Sequence, residues 1–281
     1  MRQPPDLIAM ALAEDIGEGD VTTAYFTSSR RRAMARIIAR EPCVLAGVAQ
    51  ASETFRRVDP ELRVVELQSD GAELLPSGIA LEISGSAASL LTAERTALNF
   101  LQHLSGIATQ TRLYVEAVKG TRAKILDTRK TLPGWRQLEK NAVVAGGGAN
   151  HRMGLYDMVM VKDNHLASGA GLAELHSAIA RLKADRPEIR VELEADTLAQ
   201  VKNFLTLKDV DVILLDNMNL DELREAVTLG EGKGVAFEAS GGITIEAVRF
   251  VAETGVDYIS VGALTHSVRA VDLAMEIVEG A

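Results

Sequence analysis

Cysteine and long apolar runs are scarce in this sequence. The single cysteine, Cys43, cannot form a disulfide within the chain, which favours a reducing compartment. We expect Cys43 to be a small buried apolar residue. No uncharged apolar run approaches about 18 residues, so we predict no membrane span. Acids interrupt the first twenty residues early, so we also expect no signal peptide, and the predicted location is cytoplasmic.

Several catalytic motifs are absent as well. There is no H-E-x-x-H motif or Cys/His cluster for zinc, and no G-x-S-x-G elbow of a serine hydrolase. The run Gly146–Gly148 lacks the spacing of a nucleotide fingerprint and is better interpreted as a loop that lets His151 and Arg152 approach a ligand. A pI of about 5.2 argues against a general nucleic-acid binder.

Positive charge is nevertheless concentrated in one stretch. From Arg122 to His165 there are eight Lys and Arg residues against four acids, a local net charge of +4. The whole chain has a net charge of −9, so the remainder carries −9 − 4 = −13. An acidic protein that gathers cations around glycines and histidines is expected to hold a polyanion there.

The first part of the chain has mixed, short elements. The apolar patterns predict a helix at 6–14, strands at Arg32–Arg40, Leu62–Leu67 and Ile79–Ile83, and a long helix at Leu90–Lys119. We expect a break in that helix at Ser105-Gly106.

The second part alternates strands and helices. Apolar runs predict strands at Lys124–Asp127, Met158–Lys162, Arg190–Glu194, Val212–Asp216, Val235–Ala239 and Tyr258–Val261. Helical patterns lie at Leu172–Lys183, Thr197–Leu205, Leu220–Leu229 and Thr244–Glu253. The last four strands recur at about 22 residues, which predicts a parallel α/β barrel of about six strands, smaller than the eight-fold form. An open doubly wound sheet is the alternative.

Polar residues mark the ends of these strands. They are Arg129 and Lys130, Lys162, Glu194, Asp216, Glu238 with Ser240-Gly241-Gly242, and Gly262 with His266. A single exposed charge at a strand end is ordinary, but six ends of one parallel barrel share a rim. The convergence therefore predicts the site.

The rim residues sort by chemistry. Arg129, Arg152, Lys130 and Lys162 suit carboxylate or phosphate groups. Glu194 and Asp216 are placed to hold Mg²⁺, although an ion pair with the nearby cations is the competing interpretation. Ser240-Gly241-Gly242 at a helix start, with Gly262, fits a phosphate site. His103 and His176 are expected to be packing or surface residues, and His165 has a better claim because it follows Lys162.

The motifs ILDTRKTLPGWRQLEKNAV, GGGANHRMGLYDMVMVKDNH, VELEAD, ILLDN, EASGGI and GVDYISVGALTHS resemble the quinolinate phosphoribosyltransferase family. GDVTT and AERTALNFLQHLSGIAT extend the resemblance over nearly the whole chain. Leu132 and Trp135 in KTLPGW are a modest departure that flanks the charged positions.

The resemblance implies a two-domain fold. An N-terminal α+β open-sandwich domain, 1–108, would be joined by a C-terminal helix at 267–281 (Val271–Val278 in its pattern), and an incomplete α/β barrel would span 109–266. It also implies a homodimer or hexamer, in which Arg95 of AERT enters the partner subunit's site.

The resemblance further implies a reaction and residue roles. Quinolinate and phosphoribosyl pyrophosphate would give nicotinate mononucleotide, pyrophosphate and CO₂. The implied catalytic residues are Arg95, Arg129, Lys130, Lys162, Glu194 and Asp216, the last two holding Mg²⁺. The implied substrate-binding residues are Thr128, His151, Arg152, Glu238, Ser240, Gly241, Gly242, Gly262 and His266, with Glu238 supporting the phosphate loop.

Three other functions remain open at this point. A paralogue of the molybdenum-locus type would phosphoribosylate another acid, which the intact cation set disfavours. A barrel isomerase or decarboxylase that binds phosphosugars would explain the phosphate loops but not the many cations. A non-catalytic metabolite-binding protein is the third alternative.

Overall fold

A computed structural model describes residues 6–28, 30–162 and 171–278, so the predicted role of His165 lies outside the described residues. The chain divides into two compact units. The first contains Met1–Arg112, Thr131–Gly147 and Leu264–Ala281, and the second contains Leu113–Lys130 and Gly148–Ala263. The domain limits expected above, 1–108 and 109–266, stay a prediction.

Helices and strands cover most of the described chain. In chain order they are α1 (Leu7–Ile16), α2 (Val21–Phe26), β1 (Arg32–Ala39), β2 (Cys43–Val44), α3 (Val48–Val58), β3 (Arg63–Glu66), β4 (Glu73–Leu74), β5 (Ile79–Ser86), α4 (Ala87–Ala117), β6 (Lys124–Leu126), α5 (Arg136–Ala145), β7 (Met158–Val161), α6 (Leu172–Asp185), β8 (Arg190–Ala195), α7 (Leu198–Phe204), β9 (Val212–Asp216), α8 (Leu220–Leu229), β10 (Ala236–Ser240), α9 (Ile245–Ala252), β11 (Tyr258–Ser260), α10 (Ala263–His266) and β12 (Leu273–Val278). Among the described residues, none of these helices combines the length and hydropathy that a bilayer span requires.

The first unit contains an antiparallel sheet in the order β12-β1-β5-β3 and a two-stranded sheet of β2 and β4. Alternate residues of β1 and β5 face the core, and α3 turns its apolar side, including Val48 and Phe55, towards it. The core cluster is apolar throughout, with Ile37, Leu81 and Leu101 fully buried. Cys43 lies in this cluster, as expected.

The expected break at Ser105-Gly106 is wrong, because α4 runs without interruption from Ala87 to Ala117. The Ser105 hydroxyl accepts from the Ala46 N–H at 3.0 Å and lies 3.2 Å from the Ala46 carbonyl. A Cβ on Gly106 would come within 2.3 Å of the Arg269 carbonyl oxygen. These small residues allow close packing against neighbouring backbone rather than ending the helix.

The predicted C-terminal helix, Val271–Val278, is also wrong. Leu273–Val278 forms the strand β12, which pairs antiparallel with β1 from Ala39↔Leu273 to Met34↔Val278. The backbone groups on this side of β1 need partners, and β12 provides them, so tertiary pairing overrides the local helical pattern.

The second unit contains a six-stranded parallel sheet in the order β6-β11-β10-β9-β8-β7. The last strand, β11, pairs with the first, β6, with Tyr258 opposite Lys124. Within the described residues, β6 and β7 are the two ends of this order and do not pair with each other. A ring of strands that lacks this one pairing is an incomplete barrel. The predicted fold class is therefore confirmed, and the open doubly wound alternative is not.

One face of this sheet carries the polar side chains of β8, β9 and β10. The register places Glu194, Leu214 and Glu238 side by side on three neighbouring strands. Two residues further along β9 and β10, Asp216 lies beside Ser240. Because side chains two apart share a face, Glu192 lies on this face too. We call it the polar face. The intervening residues, such as Leu193, Ile213 and Phe237, are apolar and buried on the other face.

Candidate active site

The polar side chains at the strand ends share one edge of the parallel sheet. Glu194 ends the polar face of β8, Asp216 ends β9 and Ser240 ends β10. The ladder between β9 and β10 pairs Asp216 directly with Ser240, whereas Glu194 pairs with Leu214, two residues before Asp216. The sequence therefore delivers two acids and the start of a glycine loop to neighbouring positions.

Lys162, directly after β7, forms an ion pair with Glu194. The lysine side chain is 43% exposed while the carboxylate is only 10% exposed, so the pair links the solvent to the edge of the polar face. The ion pair considered as the competing interpretation for Glu194 is thus present in this structure. Asp216 is half-buried, and its carboxylate accepts from the Asn217 side-chain amide at 2.8 Å.

Arg152 is a half-buried cation with few protein partners. One guanidinium nitrogen lies 3.4 Å from the Met158 carbonyl and another 3.5 Å from the Met160 sulfur. Its Nε is buried and has no hydrogen-bond partner among the described residues. Burial lowers the pKa of Arg152, and the positive charge of Arg129 lowers this pKa further. The two guanidinium groups are therefore close enough to repel each other, an arrangement that an anion would relieve.

The loop after β6 carries the remaining cations of the site. The Thr128 hydroxyl accepts from the Lys130 N–H at 3.1 Å, which fixes the turn from which Arg129 and Lys130 project. Arg129 is half-buried and Lys130 is exposed.

His151 does not face the exposed rim. Its side chain is 6% exposed, and its Nε2 lies 3.1 Å from a Glu192 oxygen and 3.5 Å from a Glu238 oxygen. Both glutamates are buried. Glu238, expected to support the phosphate loop, therefore contacts His151. Its pKa is raised to about 8, first by burial and then by the negative charge of Glu192, while His151 opposes the shift.

Glu192 was missed by the sequence analysis. It stands two residues before Glu194 in the strand segment VELEA, so the two-residue period of a strand already placed both acids on one face. The available signal was a carboxylate inside a buried strand. Its partners are distant in sequence, so the sequence alone did not show what Glu192 contacts. Within the described residues, ligand atoms of His151, Glu192 and Glu238 lie within 4.8 Å of one another, a spacing compatible with a metal.

The loop after β10 has an unusual backbone. Gly241 has φ of +103° and Gly242 has φ of +58°, both in the region that favours glycine. A Cβ on Gly241 would meet the Asn217 side chain at 2.2 Å, whereas the space beside Gly242 is open. The Asn217 N–H donates to the Ser240 carbonyl at 3.0 Å. This hydrogen bond holds the loops after β9 and β10 together. The space beside the Gly242 backbone is left open for a ligand.

Three predicted residues have less context in the structure. Gly262 lies two residues after the end of β11, at the sheet edge that carries the other strand ends. Arg95 and His266 belong to the other compact unit. Arg95 is exposed on α4 and makes no ion pair with any described residue, and His266 Nδ1 lies 2.7 Å from the Ser267 hydroxyl. Their roles at the rim stay predictions.

Comparison with known proteins gives matches over nearly the whole chain. A family model for the quinolinate phosphoribosyl transferase C-terminal domain matches residues 107–276, and one for the N-terminal domain of that family matches 20–105. The chain is similar to nicotinate-nucleotide pyrophosphorylase (carboxylating) of Mycobacterium leprae (strain TN), with 43% identity over 279 residues, 97% of this chain and 96% of that protein.

Two solved structures are similar in the same way. NadC from Streptococcus pyogenes has a TM-score of 0.90 and 40% identity, covering 97% of this chain and 95% of that one. The nicotinate-nucleotide pyrophosphorylase from Francisella tularensis has a TM-score of 0.90 and 37% identity, with the same coverage.

Proposed function

The chain belongs to the quinolinate phosphoribosyltransferase family, and from that premise we propose which of its residues carry out the family reaction. The enzyme is a pentosyltransferase of NAD biosynthesis. It transfers the phosphoribosyl group of phosphoribosyl pyrophosphate to quinolinate with decarboxylation, giving nicotinate mononucleotide. The roles below are assigned to individual side chains of this chain.

Arg129 and Arg152 grip the two carboxylates of quinolinate. The observation that carries this assignment is the half-buried Arg152 guanidinium, whose buried Nε has no hydrogen-bond partner among the described residues; burial and the charge of Arg129 lower the pKa of Arg152, while Glu192 and Asp157 oppose that shift. A dianion between them would offset both the burial and the repulsion, and guanidinium forks match carboxylate geometry. Thr128, whose hydroxyl fixes the turn, and His151 support this grip.

Lys162 and Lys130 meet the pyrophosphate leaving group or the substrate carboxylate near the reacting carbon. The side chain of Lys162 reaches out from a largely buried carboxylate, which supports a role as a positioned cation. Displacement of pyrophosphate leaves positive charge on the ribose carbon, and the carboxylates of Glu194 and Asp216 stabilise that charge.

Glu194 and Asp216 also fit a Mg²⁺ site. They offer hard carboxylate oxygens from neighbouring strands on one face, and Mg²⁺ prefers a few such ligands together with water and substrate phosphate. When bound, Mg²⁺ would neutralise negative charge on the pyrophosphate. The residues that hold the ribose 5′-phosphate are Ser240, Gly241, Gly242 and Gly262, and the open backbone beside Gly242 supports this cradle.

The pyridine nitrogen of quinolinate attacks the ribose carbon and becomes cationic. The cationic ring stabilises the electron pair left on the ring carbon when the adjacent carboxylate departs as CO₂, and a proton from water then adds to that carbon to give nicotinate mononucleotide. No covalent enzyme intermediate is required, so the protein contributes orientation and charge rather than a nucleophile.

Arg95 completes the site of a partner subunit in a homodimer or hexamer. Its exposure on α4 without an ion pair to the described residues supports this role. The cytoplasmic location remains part of the proposal and rests on the single buried cysteine.

The assay that tests the function follows CO₂ from carboxyl-labelled quinolinate in the presence of phosphoribosyl pyrophosphate and Mg²⁺. We expect release that depends on all three. Nicotinate, which has the same ring with one carboxylate, is the matched control substrate and should not replace quinolinate. Release without phosphoribosyl pyrophosphate would indicate a simple decarboxylase and contradict the proposal.

Subunit mixing tests the role of Arg95. Arg95→Ala and Arg129→Ala chains are each expected to be nearly inactive. A hybrid dimer of the two has one site in which both arginines are native, so an equal mixture should recover about a quarter of native activity. Failure to recover activity in hybrids shown to form would place Arg95 outside the partner's site.

A further inference from the structure

Two glutamates of the polar face and His151 form a buried cluster in which the reaction scheme gives Glu192 no task. Glu192 is fully buried, Glu238 is 2% exposed, and the His151 side chain is 6% exposed. His151 Nε2 lies 3.1 Å from Glu192 and 3.5 Å from Glu238. Burial of two carboxyl groups and an imidazole carries a large desolvation cost. Interactions within the cluster must offset this cost, which suggests that the cluster has a role.

The other ring nitrogen decides where the proton lies. The Arg152 backbone N–H donates to His151 Nδ1 at 2.7 Å. A nitrogen that accepts a hydrogen bond carries a lone pair, so the proton of the neutral ring is on Nε2. Nε2–H then faces the two carboxylates, with the Glu192 oxygen nearer.

A proton explains this cluster better than a metal does. The three ligand atoms are spaced as a metal site would require. A metal bound to Nε2 while Nδ1 accepts from the Arg152 N–H, however, would leave the ring with no proton at all, as an anionic imidazolate. A metal-bound histidine normally donates a hydrogen bond from its other ring nitrogen, whereas His151 Nδ1 accepts one, so the observed bond favours a proton on Nε2.

The two glutamates are not equivalent. The pKa of Glu238 is raised to about 8 by burial and by the charge of Glu192. The carboxylate oxygen nearer to Nε2 belongs to Glu192, at 3.1 Å, against 3.5 Å for the oxygen of Glu238.

The cluster is connected to the substrate cations through the backbone. The His151 N–H donates to the buried carboxylate of Asp127 at 2.8 Å, and the next N–H, that of Arg152, donates to the His151 ring. Both amides of the segment that carries Arg152 are thus fixed. The position of the Arg152 guanidinium depends on this backbone.

We propose that Glu192 is a positioning residue for quinolinate binding, which holds His151 in the Nε2–H tautomer so that Nδ1 fixes the backbone of Arg152. The proposal rests on the function proposed above, because it needs Arg152 to grip a quinolinate carboxylate. It assigns a task to a side chain that touches no substrate.

Glu192→Gln tests the proposal, because a glutamine can either accept from or donate to Nε2 and so removes the bias between tautomers. We expect the KM for quinolinate to rise about tenfold, because an amide attracts the Nε2 proton less than a carboxylate does, with the KM for phosphoribosyl pyrophosphate within about twofold of native. The same change at Glu238, whose oxygen lies farther from Nε2, should raise the quinolinate KM several times less.

Glu139→Gln is the matched control for stability. Glu139 is also fully buried and lies 3.0 Å from a histidine, His103, but in the other compact unit. It should lower the melting temperature about as much as Glu192→Gln without the selective rise in quinolinate KM. Equal rises in both KM values for Glu192→Gln, or no more change than for Glu139→Gln, would overturn the proposal.

Nitrogen-15 NMR of the His151 ring in the native protein gives a readout independent of activity. A proton on Nε2 supports the proposal, and a proton on Nδ1 overturns it, even if Glu192→Gln does not fold. Absence of CO₂ release by the native enzyme would instead sink the proposed function, and the ring spectrum would still report the tautomer.

Discussion

The apolar core cluster of the antiparallel-sheet unit and the polar face of the parallel sheet have opposite character. The core cluster contains only apolar residues, with Phe55 and Leu81 fully buried. The parallel sheet instead buries Glu192, Glu194 and Glu238 on its polar face. Apolar burial stabilises a fold without further partners, whereas each buried carboxylate must find a compensating group. One interior therefore serves stability, and the other accepts an energetic cost in order to place charges at the site.

Phe55→Ala should produce the largest effect on stability. Truncation of this fully buried ring removes apolar contacts and leaves a cavity, so the free energy of unfolding should fall by about 4 kcal/mol. Urea unfolding followed by circular dichroism measures it, with Phe55→Leu as the milder control. The variant should keep most of its kcat/KM when it is assayed well below its melting temperature. A large loss of kcat/KM in the folded variant would show that the apolar core cluster also serves the site.

Arg129→Ala should have the opposite profile. We expect a loss of roughly 2–5 kcal/mol in transition-state stabilisation, because a cation beside Arg152 is removed from the site, while the melting temperature changes little. Steady-state kinetics with both substrates measures this loss. The control is Arg122→Ala, an exposed arginine paired with Asp257, which should leave kcat/KM near native. A near-normal kcat/KM for Arg129→Ala would count against the site.

Local signals explain which elements could be predicted from the sequence. The strand Val212–Asp216 and the helix Leu220–Leu229 are confirmed residue for residue. The strand is an apolar run that ends at an acid, and the helix begins with a capping box of Asn219 and Glu222. Both signals lie within a few residues of the element that they define.

The wrong predictions depended on distant partners. Nothing next to Gly106 in the sequence reveals that Arg269 packs against it, and nothing in Leu273–Val278 reveals that β1 needs a neighbour. The same limit applies to the site. Glu194 and Asp216 were recognised at strand ends, but the pairing of Glu192 with His151 joins segments about forty residues apart and required coordinates. The role given to Arg95 came from the family resemblance alone.

Glu238→Gln should change how stability depends on pH. The folded-state pKa of Glu238 is about 8 against an ordinary value of 4.5, raised by burial and by Glu192 and opposed by His151, Ser260 and Arg190. The folded protein therefore binds a proton that the unfolded chain releases between these values. The stability due to this group is complete below pH 4.5 and is lost as pH rises through 8.

Glutamine does not titrate, so the difference in the free energy of unfolding between Glu238→Gln and native protein should grow in favour of the variant as pH rises. Between pH 6 and 8 we expect a change of about 2 kcal/mol, since one pKa unit corresponds to about 1.4 kcal/mol. Urea unfolding at several pH values measures it. Parallel pH curves for the two proteins would show that the carboxyl of Glu238 does not hold this proton.

Asn219→Ala should have the smallest effect, because it touches neither interior. The Asn219 side chain accepts from the N–H groups of Asp221 and Glu222 at the start of α8, and the Glu222 carboxylate accepts from the Asn219 N–H. Loss of this cap should cost about 1 kcal/mol of stability, and Asn219→Ser should recover most of it. Because the cap follows the strand end that carries Asp216, kinetics must accompany the melting curves. An unchanged kcat/KM would show that the rim is held by the sheet itself, whereas a large loss would make the start of α8 part of the site.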